Sequence, residues 1–329
     1  MNSFGRKFRI SIFGESHGPR TGVVIDGVPA DMPLSEEDLE QEIARRAPGA
    51  KGTTARVETD IPHFLSGMYD SRTTGAPLTI VFDNANGSNE PDGSVIFDST
   101  PRPGHADYVA AVKWDSANDP RSGGHFSGRI TLPLVAAGAV AKKILSRLEK
   151  PLKFEAKLTE IGGCRDKGKW KELLDKVQKE GDSLGGVVEC RVEGLPIGLG
   201  EPFFDSMESL ISHLVFAIPG VRGIEFGDGF KAAAMKGSEH NDPFGPDGPL
   251  KNGAGGVNGG LSNGAPLLFR VAFKPTSSIA KAQRTYNYET ERYEELSVGG
   301  RNDACFALRT PVIVESAAAI VITDLLEIF

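Results

Sequence analysis

The chain has little cysteine and no long apolar run. Its three cysteines are too few for a disulfide framework in 329 residues, and no two of them have the spacing of metal ligands. The most apolar run, residues 311–326, carries two acidic residues and is too short to span a bilayer. Residues 1–6 lack the apolar centre of a signal peptide. We therefore expect a cytoplasmic protein.

An excess of positive charge is also missing. The formal net charge of −7 and the lack of interleaved aromatic and basic residues argue against a nucleic-acid binder. A local basic pocket for an anionic small molecule remains compatible with this balance. Because 39% of the residues are hydrophobic, the chain can build a large core, either as one big domain or as two ordinary ones.

A polar turn near the start of the chain is the first candidate site. Phe8, Ile10 and Ile12 alternate with polar residues and predict a strand, which stops at the turn Gly14-Glu15-Ser16-His17-Gly18. A second apolar run, residues 22–25, follows. Catalytic groups often lie on loops held by rigid elements, and histidine suits proton transfer at neutral pH. The turn is either such a site or an ordinary hairpin turn.

Hydrophobic periodicity predicts the remaining elements. Helices are predicted at residues 35–46, 108–114, 132–148, 170–179, from 206 and from 311, and further strands at 63–68, 76–82, 152–161, 186–192 and 267–273. Ser35 is the predicted N-cap of the first helix, and residues 83–99 and 236–250 are predicted to be long loops. The helices from 132 and from 311 are rich in Ala, Val and Ile, so we expect both to be buried.

A faint internal repeat links the two halves of the chain. Val24 to Pro29 and Val192 to Pro196 each combine a strand end, an acid-Gly-aliphatic-Pro turn and a following helix. If the repeat is real, residues 1–329 form one domain with two pseudo-repeated β/α halves. Sheets covered by buried helices predict a layered β/α sandwich.

Two loops have the composition of phosphate-binding segments. Residues 253–260 are rich in glycine, which lets backbone amides approach a phosphate, and Lys274-Pro275-Thr276-Ser277-Ser278 offers a cation and three hydroxyls. Neither loop has the Walker A or the dinucleotide-binding pattern. The alternative is that both are ordinary loops.

Arginines and histidines add to this picture. Arg46, Arg102, Arg129 and Arg301 lie in loops with glycine or proline beside other polar residues, which suggests one anion pocket rather than four surface charges. Of the six histidines, His17 and His105 lie in compact polar turns next to glycine. Since Ser16 and His17 are neighbours in sequence, a serine hydrolase is a poor interpretation. No spacing of His, Cys and Asp suggests a metal site.

Together these stretches resemble the chorismate synthase family. The resemblance lies in residues 13–18, 26–29, 102–108, 127–129, 255–260, 273–279 and 300–303, which keep the family's order and cover almost the whole chain. It implies a lyase of the shikimate pathway of aromatic amino acid biosynthesis that converts 5-enolpyruvylshikimate 3-phosphate into chorismate and phosphate. The family's anti-1,4-elimination needs reduced FMN (FMNH2) without net redox change.

The resemblance also implies a fold, an assembly and residue roles. The fold class is α/β (α+β), a pseudo-symmetric β-α-β-α sandwich, usually assembled as a homotetramer. The implied catalytic residues are His17, His105, Asp303 and Ser16. The implied FMN-binding residues are Ser127, His125, Phe126, Gly259, Lys274, Pro275, Thr276, Ser277, Ser278 and Arg301. The implied substrate-binding residues are Arg46, Lys51, Arg102, Arg129 and Arg301, and no metal is implied.

The chain departs from the family pattern at several positions. The usual triple arginine is Arg45-Arg46-Ala47, the usual Arg-Ser-Ser is His125-Phe126-Ser127, and the usual Arg-His-Asp is Arg301-Asn302-Asp303. Pro219-Gly220 replaces a common Asn-Ala. These departures bear on FMN contacts and leave both histidines and Asp303 in place.

Two alternatives stay open beside this reading. Some members of the family also reduce flavin with NADPH, but no dinucleotide fingerprint is visible here. We therefore expect a monofunctional enzyme that receives FMNH2 from an external flavin reductase. The second alternative is a flavin- or phosphate-binding regulatory module without catalysis.

Overall fold

The computed structural model describes residues 1–49, 51–53, 60–84, 99–246, 248–299 and 302–326. The helices are α1 (Glu37–Arg46), α2 (Asp107–Trp114), α3 (Thr131–Leu145), α4 (Trp170–Lys179), α5 (Met207–Val215), α6 (Gly237–His240) and α7 (Pro311–Leu325). The strands are β1 (Ser3–Phe4), β2 (Arg9–Gly14), β3 (Arg20–Asp26), β4 (Pro62–Ser66), β5 (Met68–Tyr69), β6 (Arg72–Thr73), β7 (Leu78–Asp83), β8 (Lys153–Ile161), β9 (Gly186–Glu193), β10 (Val221–Phe226), β11 (Phe244–Gly245), β12 (Gly248–Pro249), β13 (Val257–Asn258), β14 (Leu261–Ser262), β15 (Leu267–Phe273), β16 (Gln283–Asn287) and β17 (Arg292–Leu296).

The first large sheet carries the polar turn where its strands β2 and β3 are joined. Its strand order is β1-β2-β3-β7-β4, with every neighbouring pair antiparallel. Ile25 lies opposite Leu78 and Val23 opposite Ile80, and all four side chains are buried. Because alternate residues of a strand face one side, this register turns one face of the sheet into core.

The second large sheet has the order β10-β15-β9-β8 and is also antiparallel. Phe269 faces Cys190 and Val271 faces Val188 across the β15–β9 pair, and these four side chains are fully buried. The alternation of buried and half-buried residues along β9 and β15 is the pattern of a sheet covered on one side.

Helices α3 and α7 fill the space between the two sheets. Helix α3 packs on β3 and β7, α7 packs on β8 and β9, and the two helices pack on each other. They approach closely at Gly138, where a Cβ would lie 2.2 Å from the Ser316 Cβ. The predicted burial of both helices and the predicted fold class, an α/β sandwich of sheet and helix layers, are confirmed.

The two sheets share one topology. In the first, strands β2, β3, β7 and β4 are neighbours in that order, and in the second the corresponding order is β8, β9, β15 and β10. Helices α1 and α5 follow the second strand of each set, and α3 and α7 follow the last. The turn glycines after β3 and β9, Gly27 and Gly194, both have positive φ, +82° and +88°. This correspondence supports two pseudo-repeated halves, which stays a prediction.

Some local predictions differ from the structure. Helix α1 begins at Glu37 after the N-cap Glu36, and the Ser35 side chain does not cap it, so that prediction was wrong. The predicted loop 236–250 contains α6 and the β11–β12 hairpin. Most of the loop predicted at 83–99 lies outside the described residues. No described helix combines the length and the apolar character needed to cross a membrane.

Candidate functional site

A cavity of about 810 Å³ gathers residues from both ends of the chain. Its wall is formed by the end of β2, the loops before α2 and α3, the segment after β15 and the segment before α7. Of the residues implied by the resemblance, the following line it: Ser16, Arg102, His105, His125, Phe126, Ser127, Arg129, Lys274, Pro275, Thr276, Ser277, Ser278 and Asp303. The departing residues Pro219, Gly220 and Asn302 line it too.

Other predicted residues lie elsewhere. His17 and Arg46 are buried and lie outside the described lining of the cavity. Lys51 forms an ion pair with Asp175 of α4. Gly259 lies in the turn between β13 and β14. Arg301 lies outside the described residues.

The polar turn 14–18 is held by hydrogen bonds from neighbouring loops. The Ser16 amide donates to the Gly124 carbonyl at 3.0 Å. The Asn84 side-chain amide donates to the carbonyls of Ser16 and Gly18 at 2.8 and 2.9 Å. The His125 Nδ1 lies 2.7 Å from the Gly14 carbonyl oxygen, so this nitrogen carries a hydrogen. These hydrogen bonds hold the backbone of the turn in place, and Ser16 lies in the cavity wall.

The second histidine is held by a carboxylate. Asp107, the first residue of α2, lies with its Oδ1 2.5 Å from His105 Nδ1 and 2.7 Å from Arg102 Nη2. Burial raises the pKa of the Asp107 carboxyl, but hydrogen bonds and charge from Arg102 and His105 outweigh burial and hold this pKa well below its usual range. Arg102 also donates from Nη1 to Ser278 Oγ at 2.9 Å. This group thus joins the loop before α2 to the segment after β15.

A cluster of arginines lies on another side of the cavity. Asp60 is 2% exposed and accepts from Arg46 Nη2 at 2.6 Å and from Arg129 Nη2 at 3.2 Å. Arg309 donates from Nε to the Arg46 carbonyl at 3.0 Å and lies 3.4 Å from Asp303 Oδ2. We call these five residues the cavity-side cluster. Its three arginines face two carboxylates among the described residues, so its net charge is positive.

The segment after β15 forms a second cationic region. Lys274 Nζ donates to Ser277 Oγ at 2.7 Å and contacts the Gly104 carbonyl. Burial and the positive charge of Arg222 lower the pKa of Lys274. Thr276 Oγ1 is buried and has no hydrogen-bond partner within the described part of the chain. Two nearby cations and an unsatisfied hydroxyl are the donor set that an oxyanion would complete.

Another part of the cavity wall is apolar. It includes Phe4 of β1, Ile12 of β2, Leu134 of α3, Phe216 just after α5 and Phe306 before α7. A cavity with an apolar wall and a polar end suits a flat aromatic ligand that carries an anionic group. No described group of three or more His, Cys, Asp or Glu side chains is arranged to hold a metal ion.

Sequence reasoning missed four residues that build the site. Asp107 stood inside the motif 102–108 and could have been singled out as the carboxylate nearest to His105. Arg309 precedes the buried helix α7 by two residues, which resembles the context of Arg129 before α3. Asp60 and Asn84 carried no local signal, because their partners are distant in sequence.

The comparisons with known proteins agree with the resemblance. A family model described as chorismate synthase matches residues 8–326. The chain is 53% identical over 326 residues to a chorismate synthase of Chitinophaga pinensis, which covers 98% of this chain and 96% of the relative. It is 44% identical to a chorismate synthase of Korarchaeum cryptofilum, with coverage of 98% and 96%.

The same agreement holds for the fold. A crystal structure of a chorismate synthase superimposes with a TM-score of 0.76 at 26% identity and covers 98% of this chain and 92% of its own. Sequence motifs, family model and architecture therefore coincide over nearly the whole length. The chain belongs to the chorismate synthase family and is a chorismate-forming lyase of the shikimate pathway.

Proposed function

We propose that the cavity binds reduced FMN together with 5-enolpyruvylshikimate 3-phosphate and catalyses loss of phosphate and of a ring proton. The observation that carries this proposal is the meeting of two cationic regions and His105 in one cavity with an apolar wall. Both ligands are anionic and FMN carries a flat ring system. The volume of about 810 Å³ lies within the usual range for ligand cavities.

The residues present fit the flavin. The buried Thr276 hydroxyl, which has no partner within the described ranges, is complemented by an ester phosphate, and Lys274 lies beside it with Arg222 nearby. The apolar wall, with Phe216 and Phe306, would hold the ring system. When bound, reduced FMN supplies the electron density that assists departure of the phosphate.

The substrate's anionic groups are assigned to the arginines. Arg102 and Arg129 line the cavity, and Arg129 belongs to the positively charged cavity-side cluster. Preorganised cations stabilise charge as it develops on a departing phosphate. Arg46 supports Arg129 through their shared partner Asp60. We assign Arg301 and Lys51 to substrate binding on the resemblance alone.

Proton handling is assigned to four residues. His105 lines the cavity, and His17 is buried next to Ser16. Both histidines handle protons near the flavin and the substrate. Ser16 and Asp303, which also line the cavity, relay a proton near the flavin ring.

The decisive experiment is an anaerobic assay of the purified chain with photochemically reduced FMN and the substrate. We expect phosphate and chorismate in equal amounts, and no product when FMN is left out. A lack of product with fully reduced flavin would overturn the proposal. His17→Ala and His105→Ala are expected to reduce turnover far more than FMN affinity, and near-normal turnover in either variant removes that histidine from the mechanism.

Three further properties belong to the same proposal. The enzyme is monofunctional, so oxidised FMN with NADPH should give no product unless a flavin reductase is added. It works in the cytoplasm.

It assembles as a homotetramer, and exposed aromatics such as Phe203, Phe204 and Phe230 provide apolar surface for self-association. Light scattering coupled to gel filtration measures this mass directly.

A further inference from the structure

The carboxylate of Asp107 is almost completely enclosed by hydrogen-bond donors. Arg102 approaches it with the backbone amide at 3.1 Å, with Nε at 2.8 Å and with Nη2 at 2.7 Å. His105 Nδ1 is the fourth group, at 2.5 Å. An ionised carboxylate only accepts hydrogen bonds, so each of these groups must present a hydrogen to it. The side chain is 10% exposed, which limits competition from water.

These contacts determine which ring nitrogen of His105 carries hydrogen. Arg102 Nη2 also lies 3.1 Å from His105 Nδ1, and an arginine N–H could donate there only if Nδ1 had a lone pair. The contact with Asp107 is shorter and joins a ring N–H to an anion, so it prevails. Nδ1 is therefore protonated, and Nε2 is the nitrogen that remains for a ligand.

The opposite edge of the ring lies against a glycine. A Cβ built on Gly123 would lie 2.9 Å from His105 Nε2 and 2.8 Å from Cε1. Gly123 also has a φ of +89°, which glycine adopts without strain. The chain thus keeps side chains away from Nε2 while Asp107 holds the other nitrogen.

We propose that Asp107 is a positioning residue for the lyase reaction. It fixes His105, which lines the cavity, in the Nδ1–H form and leaves Nε2 as the ring nitrogen that can exchange a proton with a ligand. The same carboxylate orients Arg102, whose Nη1 reaches Ser278, so it couples proton handling to anion binding. The proposal rests on the proposed role of His105. It assigns no contact with substrate or flavin to Asp107 itself.

The test is a double-mutant cycle with Asp107→Asn and His105→Ala, measured as kcat at saturating substrate and reduced FMN. Loss of a partner that orients a metal-ligating histidine typically costs about 10–100-fold in affinity or activity, and we take the same range for His105. We expect Asp107→Asn to lower kcat by about this factor when His105 is present. In the His105→Ala background the same substitution should change kcat less than about twofold, because there is no imidazole left to orient.

Each outcome of the cycle has a definite meaning. An equal loss in both backgrounds would overturn the proposal, since the effect of Asp107 on kcat would then not depend on His105. If His105→Ala alone keeps wild-type turnover, the proposed role of His105 fails instead. Asp324→Asn is the matched control: its side chain is buried, accepts the Arg6, Lys7 and Phe8 amides, and lies outside the described cavity lining. We expect its kcat to be unchanged.

A second measurement does not depend on a folded variant. Nitrogen-15 NMR of the wild-type enzyme labelled at histidine distinguishes a protonated Nδ1 from a protonated Nε2. We expect the His105 signals, assigned with His105→Ala, to show hydrogen on Nδ1. A neutral ring with hydrogen on Nε2 alone would overturn the proposal.

Discussion

Arg45 and Arg46 are neighbours at the end of α1, yet their guanidinium groups enter two different charge clusters. Arg45 donates with both Nη atoms to Glu315, each at 2.7 Å. Lys142 of α3 lies 2.6 Å from Glu315 and 2.6 Å from Glu42. We call these four residues, Arg45 and Lys142 with Glu42 and Glu315, the core ion cluster.

The two clusters differ in charge balance. In the core ion cluster two cations face two carboxylates, and Glu315 also accepts the Ala156 amide at 2.7 Å. In the cavity-side cluster three arginines face two carboxylates among the described residues. A balanced cluster satisfies itself, whereas a cationic surplus beside a cavity attracts an anion. Within the described residues, this difference in charge predicts a structural role for the core ion cluster and a binding role for the cavity-side cluster.

Helix geometry explains how adjacent residues reach both clusters. Successive residues of an α-helix point about 100° apart, so Arg45 turns to α3 and α7 while Arg46 turns to Asp60. The comparison predicts that changes in the core ion cluster alter stability, and that changes in the cavity-side cluster alter activity.

The largest expected effect on activity is that of Arg129→Met. Truncating one partner of a buried charge pair costs about 2–5 kcal/mol in binding, and each 1.36 kcal/mol is a factor of ten. We therefore expect kcat/KM for the substrate to fall about 100-fold or more. Asp60 keeps Arg46 as a partner, so the melting temperature should change little.

Arg45→Met is the matched control for this prediction. It removes an arginine one residue away from Arg46, but from the core ion cluster. We expect a lower melting temperature and a kcat/KM within about twofold of the wild type. Similar losses of activity in Arg45→Met and Arg129→Met would contradict the distinction between the clusters.

The next effect is that of Glu315→Gln on stability. Glu315 is 3% exposed, and breaking a buried ion pair typically costs about 3–5 kcal/mol; we expect the lower end because Arg45 is 37% and Lys142 18% exposed and both keep Glu42 as a partner. We expect the free energy of unfolding in urea to fall by about this amount, while kcat/KM at low temperature stays unchanged. A variant with normal stability and impaired turnover would assign Glu315 to the site instead.

Most of the fold could be predicted from the sequence, because its elements carry strong local patterns. The predicted helix 170–179 coincides with α4, and the predicted strand 267–273 coincides with β15. Both have clear periodicity. The first helix was placed two residues early, because the Ser35 side chain does not make the cap hydrogen bond that its residue type favours.

The site could be predicted only where its residues lie in motifs. Ser16, His105 and Asp303, which the resemblance singled out, line the cavity, and their catalytic roles stay a prediction. Asp60 was missed because its role depends on two arginines that are distant in sequence. Arg46 of α1 and Arg129 before α3 contact it only in the folded chain. The net charge of a cluster depends on which side chains contact each other in the folded chain. The local sequence around each residue does not show these contacts.

A smaller effect is expected from pH. Burial raises the pKa of Glu315, but Arg45 and Lys142 outweigh burial, so this pKa is lowered in the folded state. A carboxyl with a lowered folded pKa stabilises the protein above its unfolded pKa of about 4.3, and this contribution is lost as the pH falls through the folded pKa. We expect the melting temperature to decline below about pH 5, less steeply in Glu315→Gln. Equal slopes would mean that Glu315 does not contribute to acid unfolding.

The smallest effect is expected for an ion pair on the surface of the same helices. Lys143 of α3 lies 2.6 Å from Asp38 of α1, and the two side chains are 34% and 28% exposed. This distance equals that between Lys142 and Glu315, one residue away. Exposed pairs contribute about 0–1 kcal/mol, since water screens the charges. Lys143→Met should therefore change the free energy of unfolding by less than about 1 kcal/mol. A loss as large as that of Glu315→Gln would mean that ion-pair distance, rather than burial and charge balance, determines the role of each cluster.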